Sequence, residues 1–233
     1  MSLMGDFMRK FLITVFAIIL ILGCSNNDDL PYMTCGNLGG SQQSGPSVYY
    51  EGETYETVEI GCQTWFKRNL NYNIPYSKCY DNDSSNCSRY GRLYDWATAM
   101  DIDRFRNSAF YSAAAKHKGI CPPGWHIPSN GEWDVLVDFV GGYSTAGRYL
   151  KATSGWDNNG NGQDNYGFSA LPGGYNNYSG DYFYDVGSYG GWWSSSEYNG
   201  RKAYGKYIGY EGEYVKNYIL DKDNLFSIRC LKD

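Results

Sequence analysis

One segment of the chain carries oxygen-bearing side chains at the spacing of a calcium-binding loop. Its candidate ligands are Asp157, Asn159, Asn161 and Asp164. Carboxylate and amide oxygens at alternate positions ahead of a glycine, here Gly162, are how calcium loops of the EF-hand type begin. The glutamate that closes such loops is absent, because Phe168 occupies its position. The pattern predicts calcium as a cofactor, with a metal-free asparagine-rich turn as the alternative.

Aromatic residues dominate the stretch that follows. The chain contains 24 Tyr and 7 Trp, and such rings can stack on sugars or anchor a protein partner. The residues that we predict to contact a ligand are Tyr175, Tyr178, Tyr182, Tyr184 and Trp192. Tyr189 and Trp193 extend this set. The alternative is that the tyrosines only cover a sheet with amphipathic surface, and that at least one of the two adjacent tryptophans belongs to the core.

No group of side chains in the sequence is marked out for catalysis. The serine run at 194–196 lacks the GxSxG context of an activated nucleophile, and His117 and His126 are the two histidines that could act as a base. Helix capping explains Glu132, and no second carboxylate is paired with it by context. We therefore expect a protein that is not an enzyme, with a hydrolase as the alternative.

Six cysteines remain when Cys24 is set aside, and an even number in an exported chain indicates disulfides. The predicted pairs are Cys79–Cys87, Cys121–Cys230 and Cys35–Cys62. The first pair brackets a short polar loop, the second would tie a CPPGWH turn to the last predicted strand, and the third follows by elimination. No CxxC pair is present, which argues against a zinc site.

Two elements near these residues have clear sequence signals. Residues 48–70 alternate aromatic or β-branched with polar side chains around Gly52, which predicts a hairpin with one buried face. Ser129 and Glu132 form a capping box ahead of an apolar helical repeat, and the glycine pair at 141–142 ends it. This pattern predicts a helix from about residue 130 to 140.

The remaining elements follow from weaker patterns. A second main helix is predicted over GRLYDWATAM, where Leu93, Trp96, Ala97 and Met100 have helical spacing, and a short third one over 146–152. Residues 152–191 predict a long irregular region in which only 168–171 is typical of a buried strand. A hairpin turning at Glu211 and Gly212 and a closing strand at 225–233 follow. Two main helices with antiparallel hairpins predict an α+β fold.

The ordered motifs GETYETVEIGCQTWFKRNLNYN, YGRLYDWATAM, CPPGWHIPSNGEWDVL, NYGFSALPGGY, WWSSSE and SIRCLKD resemble the Fibrobacter succinogenes major paralogous domain. The resemblance implies an exported, lipid-anchored bacterial protein, and that family has no established molecular activity. More distantly, WHIPSNGEWDVL and SIRC are similar to segments of formylglycine-generating enzymes, which implies a C-type lectin-like fold. The copper-binding cysteine pair of those enzymes and the sugar-binding tripeptides of lectins have no counterpart, so neither activity is carried over.

The N-terminal residues predict export and anchoring. Arg9 and Lys10 precede twelve residues that are apolar apart from one threonine, too short for a transmembrane span. The sequence ILGC resembles a lipobox, which makes Cys24 the predicted lipidation site and the membrane a partner. Asp28 and Asp29 resemble acidic signals for the outer cell surface, with plain linker charge as the alternative.

These segments predict three regions: a lipoprotein signal peptide at 1–23, a flexible tether at 24–47 and a folded domain at 48–233. The net charge is −5 with no basic run, which makes nucleic acid a poor candidate partner. We expect a lipid-anchored module of the outer membrane and cell surface that binds glycans. The alternative is a protein-binding or structural component of the cell envelope.

Overall fold

The computed structural model describes residues 43–177 and 182–233. The strands are β1 (Gln43–Tyr50), β2 (Glu53–Ile60), β3 (Gln63–Phe66), β4 (Trp125–His126), β5 (Gly173–Asn177), β6 (Tyr182–Val186), β7 (Tyr189–Glu197), β8 (Lys202–Gly209), β9 (Val215–Asp221) and β10 (Leu231–Lys232). The α-helices are α1 (Ser84–Tyr90), α2 (Trp96–Ala99), α3 (Asn130–Phe139) and α4 (Ala146–Leu150). Helices and antiparallel sheets together make this an α+β domain. Strand β1 begins five residues before the predicted domain boundary at Val48.

Ten strands form three sheets within the described residues. The largest has the order β1-β2-β3-β10-β4, so that β10, from the end of the chain, pairs with both β3 and β4. Strands β5 and β6 form a two-stranded sheet, and β7, β8 and β9 form a three-stranded one. The predicted hairpin at Gly52 is confirmed: Glu51 and Gly52 both have positive φ, as a tight turn between β1 and β2 requires.

The five-stranded sheet separates two hydrophobic cores, because neighbouring residues of a strand point to opposite faces. Trp65 and Phe66 of β3 illustrate this division. The tryptophan core contains Trp65, Trp133, Trp156, Phe168 and Trp192. The cysteine core, on the other face, contains Tyr55, Phe66, Trp96, Cys121, Trp193 and Cys230.

Helix α3 confirms the prediction made from the capping box. The Ser129 hydroxyl accepts a hydrogen bond from the Glu132 amide (3.2 Å), and a Glu132 carboxylate oxygen accepts one from the Ser129 amide (2.8 Å). Trp133, Leu136 and Val137 are buried in the tryptophan core. Gly141 and Gly142 follow the helix with positive φ, which ends it as predicted.

The second main helix was predicted in the wrong place. Only the single turn of α2 forms within GRLYDWATAM, because Leu93 and Tyr94 are extended and form bridges to Lys78 and Phe226. The second helix of at least seven residues is α1, which begins in the loop bracketed by Cys79 and Cys87 and continues to Tyr90. Asp83 caps it by accepting a hydrogen bond from the Ser85 amide (2.8 Å). The sequence SSNCSRY is mostly polar and has no apolar helical repeat, because this helix buries only Cys87 and Tyr90. It was therefore not predicted.

The region predicted to be irregular contains β5, β6 and the start of β7 instead. Residues 168–171 are not a named strand, although Phe168 and Ala170 are buried and Ala170 forms one bridge to Lys151. The predicted hairpin at Glu211 and Gly212 is confirmed as the connection between β8 and β9.

Two predicted disulfides are confirmed. Cys79 and Cys87 are bonded across eight residues, and Cys121 and Cys230 across 109 residues. Cys62 is also disulfide-bonded, and its predicted partner Cys35 lies outside the described residues.

Candidate functional site

A row of tyrosines crosses one face of the three-stranded sheet, and each one lies opposite a glycine of the neighbouring strand. The cross-strand pairs are Tyr189 with Gly209, Tyr207 with Gly191, and Tyr218 with Gly205. A β-carbon on Gly209 would lie 2.7 Å from a ring carbon of Tyr189, so this ring lies flat over the glycine. Alternating residues of one strand share a face, which brings the three rings together.

Neighbouring rings of this row are in contact: Tyr189 and Tyr207 are stacked, and Tyr207 and Tyr218 are tilted by 48°. The Tyr189 and Tyr207 centroids are 4.7 Å apart with an interplanar angle of 25°, and those of Tyr207 and Tyr218 are 4.9 Å apart. Such contacts contribute ~0.5–1.5 kcal/mol each beyond burial and hold the rings in place. The result is a preformed aromatic surface.

A second stack from the β5–β6 hairpin extends this surface. Tyr175 stacks on Tyr184 at 5.5 Å, and its ring is also stacked on Phe226 at 5.3 Å. The Phe226 ring in turn packs over Gly191, which lies opposite Tyr207, so this second stack lies beside the row. We call the set Tyr175, Tyr184, Tyr189, Tyr207 and Tyr218 the tyrosine face.

The tyrosine face combines neutral hydroxyls with two carboxylates. The Tyr189 hydroxyl donates to Glu211 (2.9 Å), and this hydrogen bond raises the pKa of Tyr189 to about 12. Burial, together with the neighbouring Tyr189 and Asp185, raises the pKa of Tyr207. The Tyr189 and Tyr207 phenols therefore stay neutral at physiological pH, while Glu211 and Asp185 provide hydrogen-bond acceptors.

The five predicted ligand-binding residues differ in location and exposure. Tyr175 and Tyr184 belong to the tyrosine face, Tyr182 is 68% exposed nearby in β6, and Tyr178 lies outside the described residues. The prediction for Trp192 is wrong, because only 1% of this residue is exposed. Its indole nitrogen donates to Asn69 Oδ1 (2.8 Å) within the tryptophan core.

Sequence reasoning missed Tyr207 and Tyr218, although the signal was present. The predicted hairpin at Glu211 and Gly212 fixes the register of β8 against β9. Within β8, Gly205, Tyr207 and Gly209 alternate on one face. Combining this alternation with the hairpin would have placed both tyrosines beside Tyr189.

The predicted calcium ligands make hydrogen bonds within the protein. Asp157 accepts one from the Ser188 hydroxyl (2.8 Å), Asn161 one from the Trp156 amide (3.0 Å), and Asp164 one from the Ser169 amide (2.8 Å). No group of three or more His, Cys, Asp or Glu in the described part of the chain is arranged to hold a metal ion.

The calcium site, which also includes Asn159, stays a prediction. If it is right, calcium should raise the melting temperature by mass action, and Asp157→Ala should abolish the rise. A melting temperature that calcium and EDTA leave unchanged would refute it.

Another concave feature, a groove of about 620 Å³, lies elsewhere on the domain. Its walls are lined by Tyr50, Tyr72, Ile74, Pro75, Tyr76, Asp101, Ile102, Asp103, Arg104 and Lys118, among others. The rings of Tyr50 and Tyr72 meet edge to face at 5.4 Å, and the Arg104 guanidinium lies 4.2 Å from the Tyr76 ring centroid. Tyr76 has a positive φ and is 63% exposed.

His126 is buried at the centre of a polar network with Glu132 and Asp233, whose carboxylates are partly exposed. His126 Nε2 lies 3.0 Å from Glu132 Oε1, and its Nδ1 lies 2.7 Å from Asp233 Oδ1. Burial alone would lower the pKa of His126, but these carboxylates outweigh it and raise the pKa. The network joins helix α3 to the end of the five-stranded sheet.

The scaffold and its surface define a disulfide-bonded α+β domain that displays an aromatic face. The chain belongs to the Fibrobacter succinogenes major domain family, whose sequence model matches residues 58–232. Searches of curated proteins and of solved structures found no significant match.

The anchoring predictions fall mostly outside the described residues, where Cys24, Asp28 and Asp29 lie. Between residues 43 and 177 and between 182 and 233, no helix is long and apolar enough to cross a membrane.

Proposed function

We propose that this protein is a non-catalytic, lipid-anchored module of the outer membrane and cell surface that binds glycans at the tyrosine face. The apolar N-terminal segment ending in Cys24 supports the anchor, and Asp28 and Asp29 support the surface location. The resemblance of residues 125–136 and 227–230 to formylglycine-generating enzymes supports a C-type lectin-like fold.

The observation that carries the glycan proposal is the pairing of each tyrosine with a cross-strand glycine. A glycine in a strand interior costs stability, because it packs no side chain. The three tyrosines lie opposite three such glycines and form an aromatic surface several rings long, to which Phe226 is added where it covers Gly191. The apolar C–H faces of successive sugar rings can lie on such a surface, because aromatic rings combine an apolar face with a polar edge.

The polar groups around the face fit the same ligand class. Sugar hydroxyls need acceptors and donors beside the stacking surface, and Asp185, Glu211 and the tyrosine hydroxyls supply both. Asp185 is exposed in β6, so its carboxyl is accessible to a ligand. Hydrogen-bond acceptors beside an aromatic surface favour a polyhydroxylated ligand over a purely apolar one.

The test is binding of the full chain to immobilised oligosaccharides from bacterial and plant cell walls. Tyr207→Ala removes the central ring, and we expect any binding found to weaken by about fivefold to tenfold, which corresponds to ~1–1.4 kcal/mol. The matched control is Tyr198→Ala, which removes a 52% exposed tyrosine that contacts Tyr204 instead of the tyrosine face. Equal affinity in wild type and Tyr207→Ala would refute the assignment.

Protein binding is the alternative function, and the groove favours it. Its tyrosines, isoleucines and both signs of charge match the composition of protein interfaces, in which tyrosine and arginine are enriched. Loss of an envelope-protein partner in Tyr76→Ala, with the partner retained in Tyr207→Ala, would support this function over glycan binding.

A further inference from the structure

A single irregular segment concentrates positive charge on an otherwise acidic chain. Residues 103–118, the basic loop, contain two arginines and two lysines against one aspartate, while the whole chain has a net charge of −5. Arg104 pairs with Asp95 (3.0 Å). Arg106, Lys116 and Lys118 form no ion pair with a described residue, so their charges are available to a partner.

The same loop exposes phenyl rings. Phe105 is 55% exposed and Phe110 is 58% exposed, whereas Phe66, Phe168 and Phe226 are buried. Phenylalanine has no polar group that solvent can satisfy, so exposed rings of this size indicate a surface that contacts something apolar. The three alanines at 113–115 add small apolar side chains to the loop.

Arginine and phenylalanine are held together in this loop. The Arg106 guanidinium lies 4.5 Å from the Phe105 ring centroid, and its Nη1 donates to the Phe110 carbonyl (2.8 Å). The charge therefore lies over the Phe105 ring and beside the backbone of Phe110. Side chains with an apolar body and a cationic end are favoured where a membrane's hydrocarbon meets its headgroups.

A buried ion pair fixes the loop to the sheet. The Lys222 ammonium forms an ion pair with Glu197, and it also donates to the carbonyls of Arg106 (3.1 Å) and Ala109 (3.3 Å). Glu197 accepts hydrogen bonds from the amides of Tyr111 (3.0 Å) and Ser112 (2.6 Å). The exposed rings are thus presented on a rigid base, which lowers the entropic cost of contact.

We propose that the basic loop docks on an anionic lipid surface, with Phe105 and Phe110 entering the headgroup boundary and Arg106, Lys116 and Lys118 contacting lipid phosphates. Lipid is the occupant that charge complementarity favours, because an anionic membrane attracts clustered lysine and arginine while the rings bury apolar surface. This contact is separate from the tyrosine face. It would orient the domain on the membrane, whatever glycan the domain binds.

All seven native tryptophans are buried, so the fluorescence of an indole introduced at the surface can report contact with lipid. In the full chain, Phe110→Trp introduces a surface indole at the loop, and Tyr49→Trp introduces one at a 75% exposed position in β1 as the matched control. Both variants, purified with the lipid on Cys24, are reconstituted into vesicles with brominated acyl chains, either anionic or zwitterionic. Bromine quenches the fluorescence of an indole that reaches the acyl boundary.

We expect the indole at position 110 to lose most of its emission in anionic vesicles, while the control keeps its emission. Adding Lys116→Glu and Lys118→Glu, or raising the salt to ~1 M, where the Debye length is ~3 Å, should restore the emission. Unquenched emission in anionic vesicles overturns the proposal and indicates a protein-contact surface. Equal quenching in anionic and zwitterionic vesicles also overturns it, because the headgroup charge would then play no part.

Discussion

Tryptophan and tyrosine are both abundant in this domain, but tryptophan occurs only in the core whereas tyrosine occurs in the core and on the surface. All seven tryptophans are buried, whereas Tyr182, Tyr184 and Tyr218 are 39% to 68% exposed. The indole N–H groups find acceptors inside, as in the bonds from Trp96 to the Ser194 carbonyl (2.9 Å) and from Trp193 to the Tyr94 carbonyl (2.8 Å). Aromatic content alone therefore does not identify a binding surface.

Strand β7 shows what decides between the two environments. Tyr189 and Trp193 lie on the same side of this strand, but Phe226 packs against Trp193 at 5.1 Å and over Gly191. The segment that carries Phe226 covers one end of the sheet and leaves the other end open. A ring becomes core or surface according to what a distant part of the chain places over it.

The disulfides should show the largest difference between core and surface. Replacing both Cys121 and Cys230 by Ser releases a 109-residue connection inside the cysteine core, whereas the Cys79–Cys87 pair closes eight residues beside the β5–β6 hairpin. The entropic model predicts a loss of ~5 kcal/mol for the first change and ~2.5 kcal/mol for the second. Urea denaturation of both variants measures the difference. Equal losses would mean that the two bridges support the fold equally.

Truncating one ring in each environment tests the comparison directly. Trp192→Ala should cost ~3–5 kcal/mol of unfolding free energy, because it leaves a cavity and removes the donor to Asn69. Tyr218→Ala should cost ~1 kcal/mol or less, since its ring is partly exposed. Denaturant midpoints measure both values, and similar losses would contradict the division into core and surface.

The pH dependence of stability should arise from the polar network of His126 and Glu132. The raised pKa of His126 contributes stability that is fully present below its ordinary value of 6.5 and is lost as the pH rises through the folded-state pKa. Burial alone would raise the pKa of Glu132, but hydrogen bonds from His126 and Ser129 lower it to about 2. The contribution of Glu132 to stability is present above pH 4.5, the ordinary pKa of a glutamate, and is lost as the pH falls towards about 2.

Stability from this pair should therefore be greatest between about pH 4.5 and 6.5. His126→Gln should remove the decline on the alkaline side, which unfolding free energies measured from pH 5 to 9 would show. A decline of unchanged size in the variant would assign it to other groups. Tyr207→Ala serves as the control, because a phenol that is neutral throughout this range adds no pH dependence.

The smallest effect should come from filling the space under one ring. Gly209→Ala would place a β-carbon 2.7 Å from the Tyr189 ring, so the ring must tilt away from the sheet. We expect a stability change of ~1 kcal/mol or less, with altered NMR shifts for the rings of Tyr189 and Tyr207. Unchanged shifts would show that the flat packing of Tyr189 does not depend on this glycine.

Local signals in the sequence predicted the local features of the fold. The capping box at Ser129 and the turns at Gly52 and Gly212 are set by neighbouring residues, and the structure confirms all three. The Cys121–Cys230 bridge was also predictable, since its cysteines lie in recognisable motifs. Helix α1 was not predicted, because its cap and its disulfide stabilise a sequence with little apolar character.

The candidate site depended on contacts between distant segments, and single-sequence reasoning resolved only part of it. Composition drew attention to Tyr175 and Tyr184, which do belong to the tyrosine face. It could not separate Tyr189 from Trp192, because the difference arises where Asn69 accepts a hydrogen bond from the indole, 123 residues away in sequence. Predicting the position of Tyr207 would have required the register of two hairpins at once.

The position of β10 has a consequence for the order in which the domain folds. This strand lies between β3 and β4, and the neighbouring Arg229 side chain donates to Asn69 Oδ1 (2.8 Å) and to the Phe66 carbonyl (3.0 Å) in the middle of the molecule. The β1–β2 hairpin and β3 are therefore synthesised well before the strand that completes their sheet. The central sheet cannot be finished until β10 has been made and has paired with β3 and β4.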